Sequence, residues 1–173
     1  MIKIFGAQGN VHDVDRLLEL ILDFSIKNHI ITQVFDGNMI YGKNHLVSSY
    51  RHALRSIKRK TNTTNSLGME ILLYASGKRQ LKLAIPKMGI KKGKGKIVFI
   101  IIDENGNKND VNMNSLINDM LRMLSLVRND CIIDGDKEVL IRFGISENEI
   151  KTVTKANYGK LILEKIALVD IIK

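Results

Sequence analysis

The sequence predicts an α+β fold, with several helices packed around a small mixed, mostly antiparallel sheet in a single domain over residues 1–173. Apolar residues recur at helical spacing along much of the chain, often behind a capping residue. Strand-like runs are few and scattered, without regular β-α-β alternation. The one proline, Pro86, and the lack of a Gly/Ser-rich stretch leave no linker at which to divide the chain.

Ile2–Phe5 reads as a short strand closed by Gly6 and Gly9. Val11–Lys27 follows as an amphipathic helix, with Val14, Leu17, Leu18, Ile21, Leu22 and Phe24 at helical spacing and acids in its first turns. Ile31–Phe35 and Met39–Tyr41 flank Asp36-Gly37-Asn38, the pattern of a turn between extended pieces. Asn44 is placed to cap a helix running to Arg59, and Ser66 to cap one from Leu67 to Ala75 that ends at Gly77. Lys78–Lys87 reads as a further helix, shortened or bent by Pro86. Lys96–Asp103 is a β-rich apolar strand, Asn105-Gly106 a turn, and Met113–Val127 a Met/Leu helix. Short helices are expected at Lys137–Phe143 and Ser146–Val153. The tail Lys160–Ile172 is apolar nearly all round, and reads as a buried strand or as a helix meeting both the core and a partner.

Hydrophobic content of 45% and mean hydropathy of −0.03 are those of a soluble globular protein, and 173 residues suffice for a real core. The lone Cys131 has no internal disulfide partner, so a reducing, cytoplasmic setting and a small buried hydrophobe are expected. No apolar run approaches the ~20 residues of a membrane span. Charge is distributed unevenly. Residues 37–102 hold fourteen of the 27 Lys and Arg but one of the 18 Asp and Glu, Glu70. That block carries +13, and the thirteen bases and seventeen acids elsewhere give −4. Such a polarised chain concentrates polyanions at one region, with RNA or DNA phosphate the first candidate and an anionic membrane the second. The basic helix lacks Trp or Phe anchors for a membrane.

Catalytic and metal patterns are missing from the sequence. His45 and His52 lie two turns apart on one expected helix, too far for i, i+4 ligation, and read with His12 and His29 as surface or cap histidines. Asp134-Gly135-Asp136 lacks the third ligand and closing Glu of a calcium loop and reads as a turn. Gly93-Lys94-Gly95-Lys96 precedes a strand, the reverse of a P-loop. No catalytic residue, metal or cofactor is expected, and the chain reads as no enzyme.

The basic block is more informative. Arg51, Arg55 and Arg59 follow i, i+4 spacing beside Lys58 and Lys60, with no interleaved acid to relieve their repulsion. Lys78, Arg79 and Lys82 fall at an expected helix start, where the dipole disfavours cations and favours phosphate. Lys91 and Lys92 open a glycine-rich basic loop with Lys94 and Lys96. Five Phe, four Tyr and no Trp argue against base stacking along an extended strand and for contacts to phosphates and RNA shape. An alternative assigns the positive block to solubility or to an acidic protein surface.

An ordered set of stretches adds a family. Gln33-Val34-Phe35-Asp36 leads to Gly42-Lys43-Asn44-His45-Leu46, then His52-Ala53-Leu54-Arg55, then residues 70–81, Glu-Ile-Leu-Leu-Tyr-Ala-Ser-Gly-Lys-Arg-Gln-Leu. Phe143-Gly144-Ile145-Ser146 and residues 163–170, Leu-Glu-Lys-Ile-Ala-Leu-Val-Asp, follow. Together, over nearly the whole chain, they resemble the small regulatory subunit of the KEOPS (EKC) complex, the PRPK-binding protein family, in its archaeal form; Pro86 departs from that pattern. The resemblance implies a non-catalytic subunit that docks on the N-lobe of a small atypical kinase/ATPase and stimulates it. That kinase sits on the threonylcarbamoyl transferase, an indirect partner that modifies the adenosine beside the tRNA anticodon. It also implies tRNA binding, with the 3′ CCA end implicated. The RNA surface is then expected at Arg51, Arg55, Lys58, Arg59, Lys60, Lys78, Arg79, Lys82, Lys91 and Lys92. The apolar tail, through Leu161, Leu163, Ile166, Leu168 and Val169, is the expected kinase-docking segment.

Overall fold

The computed structural model describes residues 1–103 and 105–171. In chain order the elements are β1 (Ile2–Val11), α1 (Val14–Lys27), β2 (Ile31–Asp36), α2 (Gly42–Lys58), α3 (Leu67–Ser76), α4 (Leu81–Met88), β3 (Gly93–Ile102), α5 (Asp110–Met123), β4 (Val127–Arg128), α6 (Lys137–Phe143), α7 (Glu147–Lys151) and α8 (Tyr158–Ile171). The fold is α+β, and its residues form two compact units.

The first unit holds residues 1–37 and 90–132, and with them the whole sheet. Strand order is β2-β3-β1-β4, antiparallel at every pairing. No parallel pair occurs among the described residues, in keeping with the mostly antiparallel sheet expected. Because β3 lies between β1 and β2, those two run in the same direction and α1 crosses between them, a split β-α-β arrangement. Residues 97–102 of β3 are all buried, which is why this strand reads as an unbroken apolar run. Phe5 and Phe99, paired in register, stack at 4.8 Å between ring centroids. Leu17 and Ile21 of α1 join Met113, Ile117, Met120 and Leu121 of α5 in a core with Phe5, Val34, Ile97, Phe99 and Ile101.

Several expectations are corrected here. The first strand does not close at its glycines: β1 runs through both. A Cβ on Gly6 would collide with the carbonyl oxygen of Asn129, and one on Gly9 would lie 2.5 Å from the side chain of Leu126. The glycines permit close approach by a distant segment. Helix α1 begins later than expected, at Val14, because Asp13 caps it by accepting from the Arg16 N–H. Met39–Tyr41 is not extended; a 3-10 turn, Gly37–Met39, leads toward α2, and β2 pairs instead with β3. Helix α5 stops at Met123, the chain leaving through Ser125 at φ 54°. Cys131 is exposed rather than buried.

The second unit holds residues 38–89 and 133–173 and is helical. Its centre is α3, buried at Gly68 and from Glu70 to Ser76, as its all-round apolar sequence demands. Ser66 accepts from the Met69 N–H, and Gly77 ends the helix at φ 64°, so both expected caps are present. Helices α2, α4 and α8 pack on α3. Asp136 caps α6, and a reciprocal Ser146–Glu149 capping box starts α7. The tail is a helix, α8, anchored by Lys165 to Glu149 at 2.7 Å. Ile172, the last residue of that expected segment, lies outside the described residues. Helix α4 begins at Leu81, not Lys78, behind Gln80, and keeps Pro86 in its last turn. Helix α2 begins at Gly42, so Asn44 lies in its first turn and is not its cap.

Candidate nucleic-acid and partner interface

Helix α2 separates its residues sharply. His45, Leu46, Ser49, Ala53 and Ser56 face the unit's interior, while Arg51, Arg55, Lys58, Arg59 and Lys60 are exposed. Arg55 and Lys58 fall in the last turn, Arg59 is the C-cap, and Lys60 carries the chain out at φ 57°. The sequence pattern reads as repulsive, but at this helix end the dipole attracts cations and offsets part of the repulsion. Lys78 and Arg79 are likewise exposed just beyond the Gly77 cap of α3, again on the favourable side of a dipole. Only Lys82 stands in the first turn of α4, where a cation is disfavoured. Lys78 and Arg79 thus lie between the C-terminal end of α3, which favours them, and the N-cap Gln80 of α4, which does not, and they stay exposed to an anionic partner.

One of these cations has a counter-charge the sequence conceals. Asp170, on α8, accepts from Nη2 of Arg55 at 2.6 Å, and its other oxygen accepts from the hydroxyl of Tyr74 at 2.5 Å. Nδ1 of His52 lies 2.8 Å from Asp170 and 2.6 Å from Arg55. Burial pushes the Asp170 carboxyl up, but the hydrogen bonds from Tyr74, Arg55 and His52 outweigh it and hold it at about 2. Beside this network a groove of about 450 Å³ runs between α2 and α8, lined by Asn44, Ser48, Arg51, His52, Arg55 and Leu163 with Val47. By contrast, Arg51, Lys58, Arg59 and Lys60 form no ion pair among the described residues.

The other charged and polar groups of this unit are structural. Glu70, fully buried, accepts from the hydroxyls of Ser56 and Thr64 and from the backbone N–H groups of Thr63 and Thr64, pinning the loop after α2. Lys87 donates to the carbonyls of Ser76 and Phe143, the last residues of α3 and α6, and its Nζ lies 3.7 Å from the Phe143 ring centroid. Burial, then the charge of Lys78, lowers it to about 8. His45 is not a surface histidine: it is 1% exposed. Its Nδ1 accepts from the Tyr41 N–H and its Nε2 donates to the Ala75 carbonyl, which fixes the neutral tautomer. Burial lowers it to about 4 against the opposing Ala75 bond, with the charge of Lys87 adding to the effect.

On α8, Leu161, Ile166 and Val169 are buried, Leu163 is half-buried at the groove and Leu168 is exposed. Lys91 and Lys92 are exposed in the first unit, ahead of β3. No group of three or more His, Cys, Asp or Glu among the described residues is arranged to hold a metal. Among the same residues no helix is long and apolar enough to cross a membrane.

The kinase-binding protein CGI-121 family matches the chain over residues 9–170. This chain belongs to that family. The match takes in parts of both units and all four residues of the Asp170 network. The CGI-121 assignment is supported by a relative named regulatory protein Cgi121, from Methanocaldococcus jannaschii, which is 31% identical over 143 residues, 82% of this chain and 84% of the relative. As a CGI-121 member the chain is a kinase-binding regulatory protein. Sequence reasoning missed the network of Asp170 and Tyr74 around Arg55, and the burial of His45. Asp170 lies 118 positions from His52, and no local pattern connects them.

Proposed function

We propose that this CGI-121 protein is a non-catalytic, cytoplasmic subunit of a KEOPS complex for threonylcarbamoyladenosine modification of tRNA. In this reading it binds and stimulates the atypical kinase/ATPase subunit, meets the threonylcarbamoyl transferase only through that complex, and holds tRNA near its 3′ CCA end. The observation that carries the RNA part is the exposed cation run Arg51, Lys58, Arg59 and Lys60 along α2 and around its C-terminus, without an ion pair among the described residues. Lys78, Arg79 and Lys82, exposed between and on α3 and α4, extend the set within the same unit. Phosphate contacts there position RNA without reading its sequence. Arg55, held by Asp170, serves this surface as a fixed donor rather than a mobile charge. Lys91 and Lys92 of the first unit belong to the proposal on charge alone. The kinase part rests on the family, and α8 offers Leu163 and Leu168 at its surface to a partner, with Leu161, Ile166 and Val169 supporting the helix from within.

The pairing of Arg55 with Asp170 favours a second reading, in which the chain docks a kinase and has no direct RNA role. A gel shift of the isolated protein with tRNA, intact and lacking its CCA end, separates the two. Clear binding, weaker without CCA and reduced about tenfold or more by Lys58→Glu with Arg59→Glu, supports the first. No shift at low salt supports the second.

A further inference from the structure

Helix α1 presents a face that the core does not use. Leu17 and Ile21 point into the sheet core, while Leu18, Leu22 and Ile26 are 41%, 59% and 66% exposed. Their i, i+4, i+8 spacing stacks them in one row on the helix surface. A single exposed leucine is ordinary; three in one row over two turns form a continuous apolar strip, the feature that marks a protein contact. At its C-terminal end the strip borders a pocket of about 370 Å³, lined by the polar Ser25, His29 and Asn105 as well as by Ile26 and its isoleucine neighbours.

A second row runs alongside the first. Asp15, Glu19 and Asp23 are exposed at the same four-residue spacing. Glu19 pairs with Arg16 at 3.2 Å, whereas Asp15 and Asp23 form no ion pair among the described residues. Acids at Asp13 and Asp15 are explained by the helix dipole, but Asp23 near the C-terminal half is not. An apolar row flanked by an acidic row is complementary to a helix whose apolar row is flanked by Lys or Arg. A membrane surface is disfavoured, since the acidic row would face anionic headgroups.

We propose that α1 seats a basic amphipathic helix of the kinase partner, its apolar side chains on Leu18, Leu22 and Ile26 and its basic flank against Asp15, Glu19 and Asp23. This seat rests on the reading that the chain binds a kinase, and it is additional to the α8 surface. The test measures affinity and association rate of the cognate kinase for the full chain and for Leu22→Glu, Ile26→Glu and Asp23→Lys. All three side chains are exposed, so folding is retained, and an unchanged melting temperature and tRNA affinity verify it. The expected result is a loss of roughly tenfold or more in affinity for Leu22→Glu and for Ile26→Glu. Asp23→Lys is expected to slow association by about threefold to tenfold, an effect that fades at high salt. Wild-type affinity in both apolar variants overturns the α1 seat and leaves kinase binding standing. An association rate untouched by Asp23→Lys overturns the basic character of the docked helix. A wild-type chain that does not bind the kinase overturns both the seat and the reading beneath it.

Discussion

The free energy of unfolding is expected to fall by about 3 kcal/mol between pH 6.5 and pH 4, with His45 as the source. Its folded value, about 4, lies below its ordinary 6.5 because burial disfavours the imidazolium. In that window the unfolded chain binds a proton that the folded chain refuses. The stability is fully present above about 6.5 and is lost as pH falls toward the folded value. Protonation would also turn Nδ1 into a donor facing the Tyr41 N–H. The depressed carboxyls Asp170 and Glu149, both held at about 2, lose their contribution at lower pH and leave most of this window to His45. Urea titrations at half-unit pH steps measure the slope. His45→Gln, neutral throughout, is expected to flatten it, and an equally steep profile in that variant would rule out His45 as the source.

Replacing Glu70 with Ala is expected to cost about 3 kcal/mol, with the proposed RNA surface suffering as well. The carboxylate is fully buried and accepts from Ser56, Thr63 and Thr64, so its removal strands several donors at once. Water can reach the half-exposed Thr64 and limits the loss. The same loop follows directly on Arg59 and Lys60, so its release frees the cationic end of α2. The single acid of the basic block therefore holds its cations in place. Chemical denaturation checks the stability, and a tRNA titration of the folded variant checks the surface. A variant as stable as the wild type would show that the loop is held by other contacts.

What the sequence reveals here depends on whether the chemistry is local. Helix α6 coincides with its expected bounds, Lys137–Phe143, and α3 keeps both of its caps, because capping and helical periodicity act within a few residues. The apolar run of β3 likewise announces a strand buried on both faces. Misreadings arise where a distant segment decides. Gly6 and Gly9 look like strand breakers until Asn129 and Leu126 approach them. Asp36-Gly37-Asn38 looks like a hairpin turn, but the partner of β2 is β3, some sixty residues on. At the candidate surface the cations themselves are legible and their setting is not. Arg55 seems unopposed because Asp170 is 115 residues away, and Lys78 and Arg79 lie between the C-terminal end of α3 and the N-cap of α4 rather than inside a helix start. On α8, an apolar sequence cannot by itself separate the buried Ile166 from the exposed Leu168.

The most direct test of the central claim, that the cationic surface of this kinase-binding protein holds RNA, is the salt dependence of tRNA binding by the isolated chain. With about five phosphates engaged, log K is expected to fall against log salt with a slope of about −3.5 to −4.5, so affinity drops roughly 100- to 500-fold between about 50 and 200 mM salt. Lys58→Glu with Arg59→Glu should weaken binding and make the slope shallower by about two phosphates' worth. Binding that is absent at low salt, or that shows no dependence on salt, contradicts the account.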